Sequence, residues 1–284
     1  MEHMGYRAKM IEKNKTYLVT GGNGFLAQEL ISRIFSEGAE VVALCRDVEK
    51  ANELPEKFPG IRTVKGDLLH STSYDALFQF PIDGIFHLAA LTKVPMAEKL
   101  PIEAVKSNII GTINILDYSE LNKICKFVLC CSTFAADKAT GVYGSTKFLT
   151  EKLVDQWNYR NPECDYASIR FGPLLNSPGS VLCKWKEALE TGDKIILTDP
   201  SAIRRFVSRS QVVDEMIKHQ RGHGQTEVNT KSVAMGDLLE AFVQVYNNGD
   251  KSNVEITGLG EGEQANSGGD EDDLMSVEEI KMII

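Results

Sequence analysis

Short apolar, β-branched runs recur along the first part of the chain, with amphipathic stretches between them. TYLVT (16–20), EVVALC (40–45), IRTV (61–64), GIFHLAA (84–90), KFVLCCS (126–132) and YASIRFG (166–172) read as buried strands, because continuous apolar runs of this length suit a sheet covered on both faces. Val105, Ile109, Ile113 and Leu116 follow at spacings of four, four and three, the stripe of an amphipathic helix. Leu149, Leu153 and Trp157 repeat at spacing four in a helix that follows Tyr143. Strand and helix alternate six times, which requires parallel strands joined by crossovers. The pattern therefore predicts an α/β, Rossmann-like doubly wound parallel sheet, a dinucleotide-binding domain over residues 1–172. After residue 172 the elements become shorter and mixed. Residues 173–284 are expected to form a small C-terminal substrate-binding region over the carboxyl edge of the sheet, free to return strands or helices to the main domain. The acidic, Gly-rich segment 261–273 is expected to be a mobile surface loop.

Composition narrows the chemistry. The chain has 284 residues, 43% apolar and 25% charged, enough for a full core. A net charge of −9 argues against a nucleic-acid partner, and it obliges an anionic substrate to find specific Arg, Lys or backbone N–H donors. Six Cys, at 45, 125, 130, 131, 164 and 183, form no CxxC pair, so reduced buried thiols are expected and no metal site. No apolar run reaches the ~18 residues of a spanning helix, and the N-terminal MEHMGYRAKMIEKNK lacks the apolar core of a signal peptide. A cytoplasmic protein without a membrane partner is the expectation.

TYLVTGGNGFLAQELI places Gly21, Gly24 and Ala27 at a strand-to-helix turn, with Phe25 and Leu26 opening the helix. Gly21 permits the tight turn, Gly24 lets a pyrophosphate approach the backbone, and Ala27 is small enough for helix–strand packing. The helix N-terminus then offers unpaired N–H groups to the phosphates. At the end of the second strand the chain reads Leu44-Cys45-Arg46-Asp47. Arg46 suits a 2′-phosphate and favours NADP, whereas an inward Asp47 suits NAD. Asp67 and Leu68, after the third strand, are placed for the adenine end, though Asp67 also suits an ordinary turn. Ala89 and Ala90 end the fourth strand with side chains small enough for a cofactor to lie against the backbone, and His87 is expected to pack near it.

Tyr143 and Lys147 stand at i and i+4 on one helix face, where an ammonium favours phenolate and lowers the phenol's pKa. Tyr143 can then take a proton from a substrate hydroxyl as hydride leaves the same carbon. Ser132, or Thr133 beside it, can hold that hydroxyl. Asp137 and Lys138 lie between the two parts of the site.

These residues, with the run from Val94 to Asn114 (VPxxExxPxEAxxxNxxGTxN) and the TDPxxxR run from Thr198 to Arg204, resemble an extended short-chain dehydrogenase/reductase. Within that epimerase/dehydratase superfamily the chain is most similar to the polysaccharide-biosynthesis branch typified by UDP-N-acetylglucosamine 4,6-dehydratases. The resemblance implies a UDP-sugar substrate, a homo-oligomer built by helix packing, and oxidation at sugar C4 by Tyr143 and Lys147. It places Arg204 on the diphosphate, Asn108 under the cofactor or near the catalytic Lys, and Val94, Pro95 and Glu98 on the substrate side.

In that branch an Asp-Lys pair directly after Ser-Thr removes the C5 proton and protonates the departing C6 hydroxyl. Here Phe134 and Ala135 occupy those positions, and Asp137-Lys138 follow three residues later. Gly260 and Gln264 stand where the branch has Arg and Lys, and Pro173 where Asn is usual, so Lys184, Lys186 or Arg205 could serve the diphosphate instead. The leading expectation is a UDP-hexosamine 4,6-dehydratase using Asp137 and Lys138. A UDP-sugar C4-epimerase needs only Ser132 or Thr133 with Tyr143 and Lys147. A catalytically silent NADP-binding scaffold is the third reading.

Overall fold

The computed structural model describes residues 11–123, 125–137, 139, 141–258, 266–267 and 270–284. Strands β1 (Thr16–Thr20), β2 (Glu40–Cys45), β3 (Arg62–Lys65) and β4 (Gly84–His87) alternate with helices α1 (Phe25–Ser36), α2 (Val48–Lys57) and α3 (Ser71–Leu77). Then come α4 (Val94–Lys99), α5 (Pro101–Val105), α6 (Gly111–Leu121), β5 (Phe127–Thr133), α7 (Val142–Arg160) and β6 (Asp165–Phe171). The second part holds α8 (Val181–Thr191), β7 (Ile195–Leu197), β8 (Ile203–Arg204), α9 (Arg209–His219), β9 (Gly224–Glu227) and β10 (Val233–Ala234). It ends with α10 (Met235–Tyr246), β11 (Val254–Ile256), β12 (Asn266–Ser267) and α11 (Val277–Lys281).

The main sheet is parallel and runs β3-β2-β1-β4-β5-β6-β9. Adjacent strand residues face opposite layers. Tyr17 and Val19 join Leu30, Ile31 and Val213 on one face, while Leu18 joins Ile115, Leu116 and Tyr166 on the other. Both faces are thus covered, which is why these strands read as unbroken apolar runs. The seventh strand, GQTE, carries no such run; it is held at the edge by backbone pairing with β6.

Residues 209–228 return α9 and β9 to the main sheet, with Val212, Val213 and Met216 packed in its first core cluster. A separate cluster of Leu182, Trp185, Leu197, Leu238 and Phe242 stabilises the remainder. Of the expected loop at 261–273, residues 261–265 and 268–269 lie outside the described residues. Asn266–Ser267 pair with β8, and Glu271–Asp273 form a 3-10 turn.

Two helical stripes differ from expectation. Between α5 and α6 the chain makes a π-turn at Lys106–Ile110, which inserts a residue into the 3.6 period. Val105 consequently faces solvent while Leu116 is buried. On α7 the buried positions are Gly144, Thr146, Lys147, Thr150, Glu151, Val154 and Trp157, so Leu149 is left exposed. The polar residues on that face are hydrogen-bonded: Thr146 and Thr150 to Asn108, and Glu151 to Ser132 and Arg170. No helix among the described residues is long and apolar enough to cross a membrane.

Candidate active site

The cofactor cradle forms where β1 and β4 end side by side, Thr20 opposite His87. Gly21 has φ +66°, and a Cβ there would lie 3.1 Å from the backbone of Ala89. Only glycine satisfies both conditions. Gly24 is the N-cap of α1 and brings no side-chain cap, so the N–H groups around Phe25 and Leu26 remain open for an anion, while buried Ala27 seats the helix. These features fit a dinucleotide pyrophosphate. A cavity of about 280 Å³ opens beside the turn, between Phe25 and Asn176, Ser208 and Arg209.

Arg46 is exposed at the end of β2. Asp47 caps α2 by accepting the Lys50 N–H at 3.1 Å, so its carboxylate is engaged along the chain rather than turned inward. Asp67 accepts the Leu69 N–H at 3.0 Å, an ordinary turn bond. The Leu68 carbonyl is fixed by Tyr74 and Asn114. Ala89 and Ala90 are half-buried at the end of β4.

His87 lies beneath this edge, 4% exposed. Thr20 Oγ1 accepts the Leu88 and Ala89 N–H groups, so its own proton goes to His87 Nδ1 at 2.8 Å. His87 Nε2 then donates to Thr112 Oγ1 at 3.0 Å, and Thr112 donates to the Asn108 carbonyl at 2.6 Å. Burial, with Lys147 nearby, pulls the imidazole pKa down to about 3. The ring is therefore neutral, with Nε2 protonated.

Asn108 stands in the π-turn, 1% exposed. Its Oδ1 accepts the Leu91 N–H at 2.7 Å, and its Nδ2 donates to the Leu91 carbonyl and to Thr146 Oγ1 at 3.0 Å. It ties the chain after β4 to α7 one residue before Lys147.

At the end of β5, Thr133 is the hydroxyl beside the half-buried Tyr143 that favours its phenolate. Burial pushes the Tyr143 phenol up to about 12; Cys131 adds to this and the Thr133 hydroxyl opposes it. Burial also lowers Lys147, opposed by Cys131, Cys130 and Glu151. The phenol is thus raised by desolvation, where the sequence led us to expect a lowering by Lys147.

Ser132 is 3% exposed and donates to Glu151 Oε1 at 2.6 Å. Glu151 is gripped on both oxygens by Arg170, from Nε at 2.7 Å and Nη2 at 2.8 Å. Arg170 Nη1 reaches Asp137 at 2.8 Å and Glu227 at 3.4 Å. The two hydroxyls offered as alternatives for the substrate are therefore divided. Thr133 meets Tyr143, while Ser132 and Asp137 attach to the Arg170–Glu151 centre. Lys138 lies outside the described residues, as do Gly260 and Gln264.

Glu98, on α4, accepts the N–H groups of Val142 and Tyr143 at 3.0 and 3.1 Å. It caps α7, whose N-cap Gly141 has no side chain to do so. Nearby, Val94 is half-buried and Pro95 exposed. Arg204 donates to the Ile203 carbonyl at 2.9 Å. Phe134 is 5% exposed, with the Arg205 guanidinium 5.7 Å from its ring centre. Lys186 lies against Tyr246 and Asn176.

Sequence reasoning missed the Glu98 cap, Thr112 and the Glu151–Arg170 pair. One signal was legible: an Arg inside the apolar run YASIRFG demands a buried acid.

The model of a family described as polysaccharide biosynthesis protein matches residues 17–279. The chain is 32% identical over 243 residues to the uncharacterized membrane protein MJ1061 of Methanocaldococcus jannaschii, covering 82% of this chain and 72% of that one. It is 29% identical to a UDP-glucose 4-epimerase of Rickettsia massiliae, over 88% of this chain and 76% of the relative. Among solved structures it is similar to Pen from Bacillus thuringiensis, with TM-score 0.85, 28% identity, and coverage of 90% of this chain and 82% of that one. The protein belongs to the polysaccharide biosynthesis family, in the epimerase/dehydratase branch of the extended short-chain dehydrogenases/reductases.

Proposed function

We propose that the chain is an NAD(P)-dependent enzyme that oxidises a nucleoside-diphosphate sugar at C4 and then reduces it again. Tyr143 beside the Thr133 hydroxyl, with buried Lys147 one turn further along α7, carries this reading. Thr133 holds the C4 hydroxyl, Tyr143 takes its proton, and Lys147 steadies the phenolate. Gly21, Gly24 and Ala89 would hold the dinucleotide, which would supply a hydride acceptor for C4 and, while oxidised, positive charge favouring the phenolate of Tyr143. Exposed Arg46, with Asp47 engaged as a cap, supports NADP over NAD. The UDP-glucose 4-epimerase relative supports a UDP-sugar, with Arg204 on the diphosphate.

Inversion at C4 is the outcome the geometry supports best. Water loss needs an acid and a base at C5 and C6; Phe134 and Ala135 supply neither, and Asp137 is bonded to Arg170. Dehydration is the second reading. It is favoured by the 68% exposure of the Asp137 side chain, which leaves its carboxylate open to a substrate from the solvent side. Incubation in deuterated water with UDP-glucose, UDP-N-acetylglucosamine and UDP-glucuronate separates the two. A product of unchanged mass with an inverted C4 proton by NMR supports the epimerase. Loss of one water with deuterium at C5 or C6 supports the dehydratase. Absence of turnover of any UDP or dTDP sugar overturns both.

A further inference from the structure

Arg205 is a cation for which the described protein supplies no anion. Its backbone is fixed at the carboxyl edge of the sheet: a Cβ on Gly172, just past β6, would lie 1.7 Å from the Arg205 carbonyl oxygen. Its guanidinium sits 5.7 Å from the ring centre of Phe134, the residue after Thr133. Arg205 Nε is buried without a hydrogen-bond partner. Asp137, the acid nearest along the β5–α7 loop, is held by Arg170 instead. A buried guanidinium N–H left unpaired is costly, and a planar oxyanion is the partner whose geometry matches its fork.

The position of Arg205 selects which oxyanion. Thr133 and Tyr143 hold the C4 hydroxyl in the proposed reaction, so a guanidinium resting on Phe134 faces substituents next to C4. The exocyclic C6, carried by C5, is the nearest carbon there that can bear a charge. The diphosphate is attached at C1, on the opposite side of the ring. We infer that Arg205 recognises a C6 carboxylate, making the substrate class nucleoside-diphosphate hexuronates; this rests on the C4 oxidoreduction reading and deepens it. A hexuronate has no C6 hydroxyl to lose, which agrees with Phe134 and Ala135 carrying no acid–base group. The reaction balances without a further reactant. Tyr143 takes the proton of the C4 hydroxyl, and the C4 hydrogen would leave as hydride to a bound oxidised dinucleotide. Return of both, with hydride on the other face, would invert C4 with no net redox change and leave the carboxylate unchanged.

The test compares UDP-glucuronate with UDP-glucose on wild-type protein, Arg205→Met and Arg205→Lys, by turnover and by calorimetric binding. Wild type should prefer UDP-glucuronate in kcat/KM and in Kd. Arg205→Met should reduce the glucuronate-to-glucose ratio about ten- to hundredfold, the range for charge-assisted hydrogen bonds, and Arg205→Lys should restore part of it. An unchanged ratio overturns the inference and assigns Arg205 to the diphosphate or to packing. If Arg205→Met does not fold, wild-type ratios near one in both turnover and binding overturn it alone. Turnover of neutral sugars only defeats this inference and spares the C4 reading. Absence of turnover defeats the C4 reading, while the binding ratio still judges the carboxylate.

Discussion

At the scale of single residues, His87 shows how a buried polar group sets both geometry and pH response. Its neutral ring joins Thr20, under the cofactor turn, to Thr112 and the Asn108 carbonyl. Its folded pKa of about 3 lies below the ordinary 6.5, so the folded state binds fewer protons than the unfolded chain between those values. The stabilisation is complete above pH 6.5 and is lost as pH falls toward 3, at about 1.4 kcal/mol per pH unit. Urea unfolding of wild type and His87→Gln between pH 7 and 4.5 should therefore diverge in slope, with the variant flatter. Parallel curves would mean that His87 is protonated or exposed. His87, Tyr143 and Lys147 were all legible in the sequence because their motifs are local. That Thr133 rather than Ser132 meets Tyr143 was not, since it depends on which face of β5 each hydroxyl leaves. Ser132 sits opposite Arg170 in the register, on the face covered by Glu151.

At the scale of elements, α7 is positioned by contacts from outside itself. Gly141 and Gly144 make room for neighbours: a Cβ on Gly144 would lie 2.5 Å from the Ala135 carbonyl, and one on Gly141 2.6 Å from Glu98. Glu98 supplies the carboxylate that the helix start lacks. Glu98→Ala should lower stability by about 1–2 kcal/mol, seen as a fall of a few degrees in Tm. It should also reduce kcat more than KM, because the helix turn carrying Tyr143 loosens. Unaltered Tm and kcat would show that α7 is held without the cap. The existence of the helices was readable from periodicity. Their buried faces were not, because the π-turn shifts the phase after Val105, and because α7 buries Lys147, Thr150 and Glu151 where an apolar stripe was expected.

At the scale of the whole molecule, the candidate site lies where the ends of β1, β4, β5 and β6 meet the segment around β8. The doubly wound sheet was legible because six buried strands announce themselves as apolar runs. The seventh, β9, was hidden because GQTE carries no apolar run and pairs with β6 at an edge. Arg205 was readable as a cation but not as a neighbour of Phe134, a contact between positions 71 apart in sequence that only the fold creates. The Arg170–Glu151 centre, likewise, joins β6 to α7 and reaches Asp137 and Glu227.

Transient oxidation at C4 is the central claim, and a substrate labelled with deuterium at C4 tests it most directly. UDP-glucuronate and UDP-glucose carrying that label should each be supplied to wild type and to Tyr143→Phe, and the label located in the product by NMR. Wild type should return deuterium to an inverted C4 without dilution by solvent, and Tyr143→Phe should lose at least about a hundredfold in rate. Deuterium appearing at C6 with loss of water would show dehydration in place of inversion. Deuterium exchanged into solvent, or Tyr143→Phe turning over at the wild-type rate, would contradict hydride transfer at C4 and the site built around Tyr143.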